Sequence, residues 1–264
     1  MALSCGRVRS RLTTCRPGPL QTTKNAMLDG RVRLLQPVRG YRAGLDAALL
    51  AAACDAQPDQ IVLDAGCGVG AVMLCAAMRR PAARFIGVDD DPDALALAQS
   101  NIAANHLAER VGVARGRIGS GARLPQAPFD AILSNPPFFD DPTALRGPAR
   151  EKAAAWLTPE GLGAWVADLL RGLKEGGSLT LIHRADRLAD ILLALGAKAG
   201  AVQIRPIGPF ADAPAKRVLV RAVKTARAPL RLLPALILHE RDASEKHTPQ
   251  TESVLRGEAA LDWL

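Results

Sequence analysis

The sequence predicts an α/β fold: a mostly parallel sheet of seven strands, helices on both faces, and an antiparallel hairpin at one edge. Three observations predict it. From Ile61 onward short apolar runs alternate with segments of helical period, the pattern of strands joined by crossover helices. A glycine-rich turn, Asp64-Ala65-Gly66-Cys67-Gly68-Val69-Gly70, joins the first run to the first of these helices. The last two strand candidates follow each other with no helix between them, which calls for an antiparallel return.

The strand candidates are Ile61–Asp64, Arg84–Asp89, Val111–Ala114, Phe129–Ser134, Ser178–His183, Arg217–Val223 and Leu232–His239. Helical periodicity covers Val69–Arg80, Pro92–Ala104, Pro159–Leu173 and Arg187–Leu195, and an Ala/Leu helix over Gly44–Cys54 precedes the sheet. Pro92 and Pro159 suit a first helical turn, where a missing N–H costs nothing, and Thr158 is placed to cap the second of these helices.

Residues 25–264 read as one domain, and residues 1–24 as a disordered extension carrying Arg7, Arg9, Arg11, Arg16 and Lys24 without an acid. This segment resembles a transit peptide superficially but lacks a secretory apolar core; a later start at Met27 is an alternative. The chain carries a net charge of +8 and a pI near 9.7, which points to a polyanionic partner. Lys198 to Arg231 holds eight Lys or Arg against one Asp, the material for a folded basic face, although a charge run is more often simply solvated surface. No apolar run is long enough to span a membrane. The five cysteines form no CxxC pair and no zinc-like set with the four histidines, so no metal is expected and a reducing cytoplasm fits.

The glycine turn lets a ligand approach the backbone closely and presents helix N-terminal amides to it. Its spacing is GxGxG, without the gap of the dinucleotide fingerprint GxGxxG. About 20 residues later the second strand ends in Asp89-Asp90-Asp91. An acid there accepts hydrogen bonds from both hydroxyls of a ribose. Asp89 is the candidate, because Asp90 and Asp91 sit where the helix starting at Pro92 needs caps; all three capping is the bland alternative. These elements alone do not decide between cofactors.

Asn135-Pro136-Pro137-Phe138 follows the fourth strand, at the sheet edge where open α/β folds place ligands. It resembles the [N/D]PP[Y/F/W] motif of S-adenosylmethionine-dependent amino-methyltransferases. A conjugated amino group is a poor nucleophile. The Asn135 side-chain oxygen and the Pro136 carbonyl each accept one of its N–H groups, favouring a pyramidal nitrogen whose lone pair is free to attack. Paired prolines stiffen the loop, Pro137 lies against the substrate, and Phe138 offers a stacking face to a planar base. No general base is needed, because the cationic product nitrogen loses its proton afterwards. In this setting Gly66, Gly68 and Gly70 make room for the methionyl part of S-adenosylmethionine, Asp64 lies near its amino group, Asp89 takes its ribose, and Asn135 adjoins it.

Seven strands ending in such a hairpin is the class I methyltransferase (Rossmann-like) arrangement. From about Met27 onward the chain resembles bacterial adenine-N6 methyltransferases acting on valine tRNA, through Gln36-Pro37-Val38-Arg39-Gly40-Tyr41-Arg42-Ala43-Gly44-Leu45-Asp46, Asp64–Gly70, Ser134–Phe138, and His247–Arg256. The resemblance implies methylation of the adenine on the 3′ side of the anticodon. The glycine loop and the tetrapeptide specify only the class; the Gly40–Asp46 segment alone points to tRNA. Two departures stand out. Relatives usually carry an acid after the third strand for the cofactor's adenine; Arg117 occupies that place, so the role is not carried over. Phe138 replaces a frequent Tyr.

Tyr41, Arg42, Lys216, Arg217 and Arg221 are the remaining substrate-contact candidates, with Arg39 beside them. Tyr41 has an equal structural reading at the helix entry, and Asp46 either caps its helix or touches the cofactor's methionine end. His183 and His239 read as strand-end bridges, and Trp156 and Trp165 as core. The rival in the same fold is a protein glutamine methyltransferase, which typically carries a helical N-terminal domain, whereas only about 60 residues precede the glycine loop. A non-catalytic RNA-binding protein keeping the fold is the rival of another class, disfavoured by intact Asp64, Gly66, Gly68, Asn135 and Pro136. A nicotinamide oxidoreductase lacks its motifs.

Overall fold

The computed structural model describes residues 21–38, 42–137 and 159–263. The parallel core of the sheet is laid down by β3 (Ile61–Ala65), β4 (Arg84–Asp89), β5 (Val111–Arg115), β6 (Phe129–Ser134) and β7 (Leu173–Arg184). Alternate side chains go to opposite faces, and the burial follows: Val62, Ala131 and Leu133 join one apolar cluster, Leu63, Ile132 and Leu181 the other. Helices α1 (Leu45–Ala52), α2 (Ala71–Arg79) and α3 (Pro92–Ala104) contribute to the first cluster, α4 (Pro159–Gly172) and α5 (Leu188–Leu195) to the second. A sheet apolar on both faces needs this double cover. A C-terminal helix, α6 (Pro249–Arg256), is capped by Thr248, whose hydroxyl accepts the Thr251 amide at 3.2 Å. Its Val254 completes the α1 side of the core.

The main sheet runs β10 (Arg231–Leu232), β8 (Ala199–Gly208), β9 (Arg217–Lys224), β7, β6, β3, β4, β5, with β11 (Leu236–Ile237) also on β8. The expected antiparallel hairpin exists, but its strands differ from the expected pair. Its partners are β8 (Ala199–Gly208) and β9 (Arg217–Lys224), with β9 inserted between β7 and β8. The run Leu232–His239, expected as the seventh strand, yields only β10 (Arg231–Leu232) and β11 (Leu236–Ile237), both parallel to β8. Pro234 interrupts it, and a proline cannot donate to a ladder.

A separate two-stranded ribbon, β1 (Thr22–Met27) and β2 (Val32–Pro37), precedes the sheet and was not expected. It starts inside the stretch expected to lie outside the domain, and Met27 is its last paired residue before the turn. The ribbon is fastened to α3 by two asparagines. Asn101, fully buried, accepts the Leu35 amide at 2.7 Å and donates to the Leu35 carbonyl at 3.0 Å. Asn105 does the same for Arg33, at 2.8 and 2.7 Å. Four residues apart on one helix face, the two amides imitate a third strand along the free edge of β2.

Residues 1–20, most of the expected extension, lie outside the described residues, as do Arg39, Gly40, Tyr41, Phe138, Trp156 and Thr158. No helix among the described residues is long and apolar enough to cross a membrane.

Candidate active site

β3 has β4 on one side and β6 on the other, so the chain winds in opposite directions from it. Such a switch point opens a crevice at the carboxyl ends of the strands. Ala65 and Ser134 are direct partners across β3 and β6. The glycine loop that starts at Gly66 and the Asn135-Pro136-Pro137 segment therefore leave the sheet side by side.

The loop is held from both flanks. The amides of Gly66 and Cys67 both donate to the Val88 carbonyl, at 2.8 and 3.1 Å, folding the loop over β4. Asp89 accepts the Gly68 amide at 2.8 Å through Oδ2 and the Asp91 amide at 3.0 Å through Oδ1. Asp91 in turn caps α3, accepting from Asp93 and Ala94, the capping role read for it from the acidic run. Burial raises the Asp89 pKa above the usual carboxylate range. Its oxygens keep lone pairs for further donors, as a ribose site requires.

Gly68 has φ +51° and a Cβ built there meets nothing within 4 Å, so the loop faces open space at that point. Gly66, φ +75°, would bring a Cβ to 3.1 Å from the Trp165 ring. Trp165 also donates from Nε1 to Ser134 Oγ at 3.0 Å, and Ser134 donates to the Ala65 carbonyl at 2.9 Å. One indole thus supports the glycine loop and, through Ser134, the strand end that launches Asn135. The sequence reads Trp165 as core, which it is; its second role leaves no mark in the sequence.

Asp64 is fully enclosed. It accepts the Met73 amide at 3.0 Å, an amide of the first turn of α2, and burial pushes its pKa up to about 7. Its observed work is to pin the helix start that carries the loop, while Gly70 serves as the left-handed N-cap. Asn101 reaches the same loop, donating to the Val69 carbonyl at 3.0 Å. A polar residue on the apolar face of α3, beside Leu95, Ala98 and Ile102, is the signal that marks it. On the far side Asp168 of α4 accepts the amides of Gly119 and Gly121 at 2.7 and 3.2 Å, shaping the loop that contains Arg117.

The substrate-contact candidates divide. Arg221 faces Asp55, at 2.6 Å, and Gln203, at 3.2 Å, from the middle of β9. With its side chain only 18% exposed it is a structural ion pair and leaves the substrate set. Arg217 reaches back to Asp46 at 3.0 Å, so Asp46 secures α1 to β9, with no capping bond at Gly44. Arg42 is exposed but donates to Thr23, Pro37 and Asn25, bracing the β1–β2 ribbon. Lys216 is exposed at the carboxyl edge. Tyr41 and Phe138 lie outside the described residues. Lys198, Lys224 and Arg227 sit at the opposite edge of the hairpin, so the basic stretch does not make one face. His239 lies beyond β11 and bonds to the carbonyl of Lys246 in the following loop, not to a strand-end group. Among the described residues no group of three or more His, Cys, Asp or Glu is placed to hold a metal ion.

Residues 42–193 match the family model described as the methyltransferase small domain. A tRNA1(Val) (adenine(37)-N6)-methyltransferase of Porphyromonas gingivalis is 36% identical over 163 residues, 58% of this chain and 62% of that protein. The chain thus spans less than two thirds of that relative. A protein of the same name from Parabacteroides distasonis is 30% identical over 189 residues, 70% of this chain and 77% of that one. A release factor glutamine methyltransferase of Caulobacter vibrioides is 32% identical over 154 residues, covering 55% and 52%. Among solved structures, one titled a predicted O-methyltransferase from Agrobacterium tumefaciens covers 82% of this chain and 98% of its own, with TM-score 0.69 at 25% identity. The fold, the crevice at the switch point and the matched span agree: the chain belongs to the methyltransferase small domain family, and within it resembles the tRNA1(Val) (adenine(37)-N6)-methyltransferases.

Proposed function

We propose that this protein transfers a methyl group from S-adenosylmethionine to the exocyclic N6 amino group of an adenine in tRNA, next to the anticodon of valine tRNA, in the cytoplasm. One observation carries the reading. Asn135-Pro136 leaves β6 in register with the glycine loop leaving β3, so two acceptors for an amino group adjoin a loop open to a ligand at Gly68. The open space at Gly68, the positive φ values of Gly66, Gly68 and Gly70 and the part-exposed Asp89 carboxylate suit a nucleoside-bearing ligand without a pyrophosphate.

When bound, S-adenosylmethionine supplies an electrophilic methyl group on a sulfonium. Gly66, Gly68 and Gly70 hold its methionyl part, Asp89 its ribose hydroxyls, and Asp64 keeps the loop in shape. Asn135 and Pro136 accept the two N–H groups of the target and orient its lone pair; Phe138 stacks on the base. The acceptors gain strength as positive charge builds on nitrogen, so their contribution falls mainly on the transition state. The names of the first relatives support adenine over glutamine as acceptor, and so does the net charge of +8.

The test is tritium transfer from labelled S-adenosylmethionine to unmodified bacterial tRNA, with wild type and Asn135→Ala. Label is expected in N6-methyladenosine, with kcat reduced roughly a hundredfold or more in the variant. Unlabelled tRNA beside a labelled release factor protein would select glutamine. No transfer and no cofactor binding would select a non-catalytic RNA-binding protein.

A further inference from the structure

The carboxyl edge of the sheet carries a second concavity, beyond the methyl-transfer crevice. It measures about 650 Å³ and is lined by Phe210, Asp212, His239, Glu240, Arg241 and Gln250 among others. Its position follows from register. Ser134 pairs with Leu181, Ile182 with Leu219 and Leu219 with Arg205, while β8 ends at Gly208. The chain therefore emerges at Phe210 on the same edge as Asn135. Three strand spacings separate β6 from β8, about 14 Å.

The lining sets Phe210 against His239, which in turn packs on His247. The Phe210 and His239 rings are 5.7 Å apart at 50°. His239 stacks on His247 at 5.1 Å and 23°, and His247 Nδ1 is buried with no hydrogen-bond partner among the described residues. The Arg241 guanidinium lies 4.4 Å from the Phe210 ring centre, steadied by Asp212 at 3.0 Å. Arg241 covers one face of Phe210 and His247 one face of His239, and such a layered set of part-exposed rings and guanidinium is the kind of platform that a further unpaired base extends. Glu240 and Gln250 offer acceptors for exocyclic amino groups, Asp212 being engaged with Arg241, and two carboxylates argue against a free phosphate as the occupant. Exposed Lys216 lies on the same sheet edge, its amide donating to Ile207 near the end of β8, and supplies a cation for a backbone phosphate.

We infer that this cavity is a second base-binding subsite, which stacks an unpaired nucleotide of the RNA near the methylated adenine on Phe210 and His239. The inference rests on the tRNA reading above for the identity of the RNA. It makes these residues substrate-positioning groups, remote from the methyl transfer.

The experiment uses full-length Phe210→Ala, His239→Ala and Phe210→Trp. Each is assayed for methyl transfer to tRNA and for binding a fluorescein-labelled single-stranded oligoribonucleotide. The alanine variants are expected to raise the KM for tRNA and the Kd for the oligonucleotide roughly tenfold, with kcat within about twofold. Phe210→Trp, which keeps a stacking face, is expected to stay near wild type. Folded alanine variants with unchanged KM and Kd would overturn the subsite. Should Phe210→Ala not fold, Arg241→Ala, a change at an exposed side chain, replaces it with the same expectations. Failure of the wild type to methylate tRNA would sink the functional reading but not this one. Oligonucleotide binding then decides: if wild type does not bind, or the alanine variants bind equally well, the subsite falls too.

Discussion

Asp64 is the residue at which the site is most exposed to its own electrostatics. Its carboxyl group is buried against the Met73 amide and its pKa is pushed up to about 7. The first cause is desolvation of the charged form, partly opposed by the amide and reinforced by Asp89. A carboxyl whose folded pKa exceeds its unfolded value binds its proton more tightly when folded. It therefore adds stability at low pH that is lost as pH rises from about 4 to about 7. Asp64→Asn keeps an acceptor for Met73 and removes the titration. Urea midpoints of the two proteins without cofactor should converge near pH 4 and separate by pH 8, the variant becoming the more stable by a few kcal/mol, on the order expected for such a shift. A difference that does not change between those values would mean Asp64 does not titrate as stated. At this scale the sequence is legible where spacing carries meaning. Gly66, Gly68, Gly70, Asp89 and Asn135-Pro136 are found at adjoining strand ends. It is silent where a side chain serves two elements at once, as Trp165 and Ser134 do, because neither residue type nor spacing records a partner 31 positions away.

Among the elements, the β1–β2 ribbon hangs on α3 through the asparagine pair, and one of the two reaches the glycine loop. Asn101→Ala removes three hydrogen bonds of a fully buried side chain, two to Leu35 and one to Val69. Unsatisfied buried groups at that rate predict a loss of about 3 kcal/mol. Asn105→Ala frees Arg33 at a more accessible site and leaves Val69 alone. Thermal melts should thus order wild type above Asn105→Ala above Asn101→Ala, and titration with S-adenosylmethionine should weaken for Asn101→Ala alone. Equal cofactor affinity in all three would break the link from ribbon to loop. The ribbon escapes sequence reading because β1, Thr-Thr-Lys-Asn-Ala-Met, is mostly exposed and shows no apolar alternation. β8 escapes for another reason. Pro206 lies between the residues that pair with β10 and those that pair with β11, so the strand survives a residue that usually ends one. Where the apolar run is buried on both faces nothing competes with the pattern, and β4 and β6 have the expected bounds, Arg84–Asp89 and Phe129–Ser134.

Across the whole molecule the net charge of +8 says less about an RNA surface than the position of each cation does. Within the basic stretch of the hairpin, Arg217 and Arg221 are tied to Asp46 and Asp55, and Lys224 to Glu175. Lys216 is exposed at the edge that carries Asn135, whereas Arg227 is exposed at the other edge. A cation that meets a phosphate releases counterions from the nucleic acid; one that faces bulk solvent releases none. Lys216→Ala and Arg227→Ala change net charge equally, so long-range attraction falls by the same amount in both. They separate in the salt dependence of binding. Plotted as log affinity against log salt, Lys216→Ala should flatten the slope by about 0.7 to 0.9, the contribution of one phosphate contact, and Arg227→Ala should leave it as in wild type. Equal slopes in both variants would show that RNA binding follows total charge, and would take the carboxyl edge of the hairpin out of the interface.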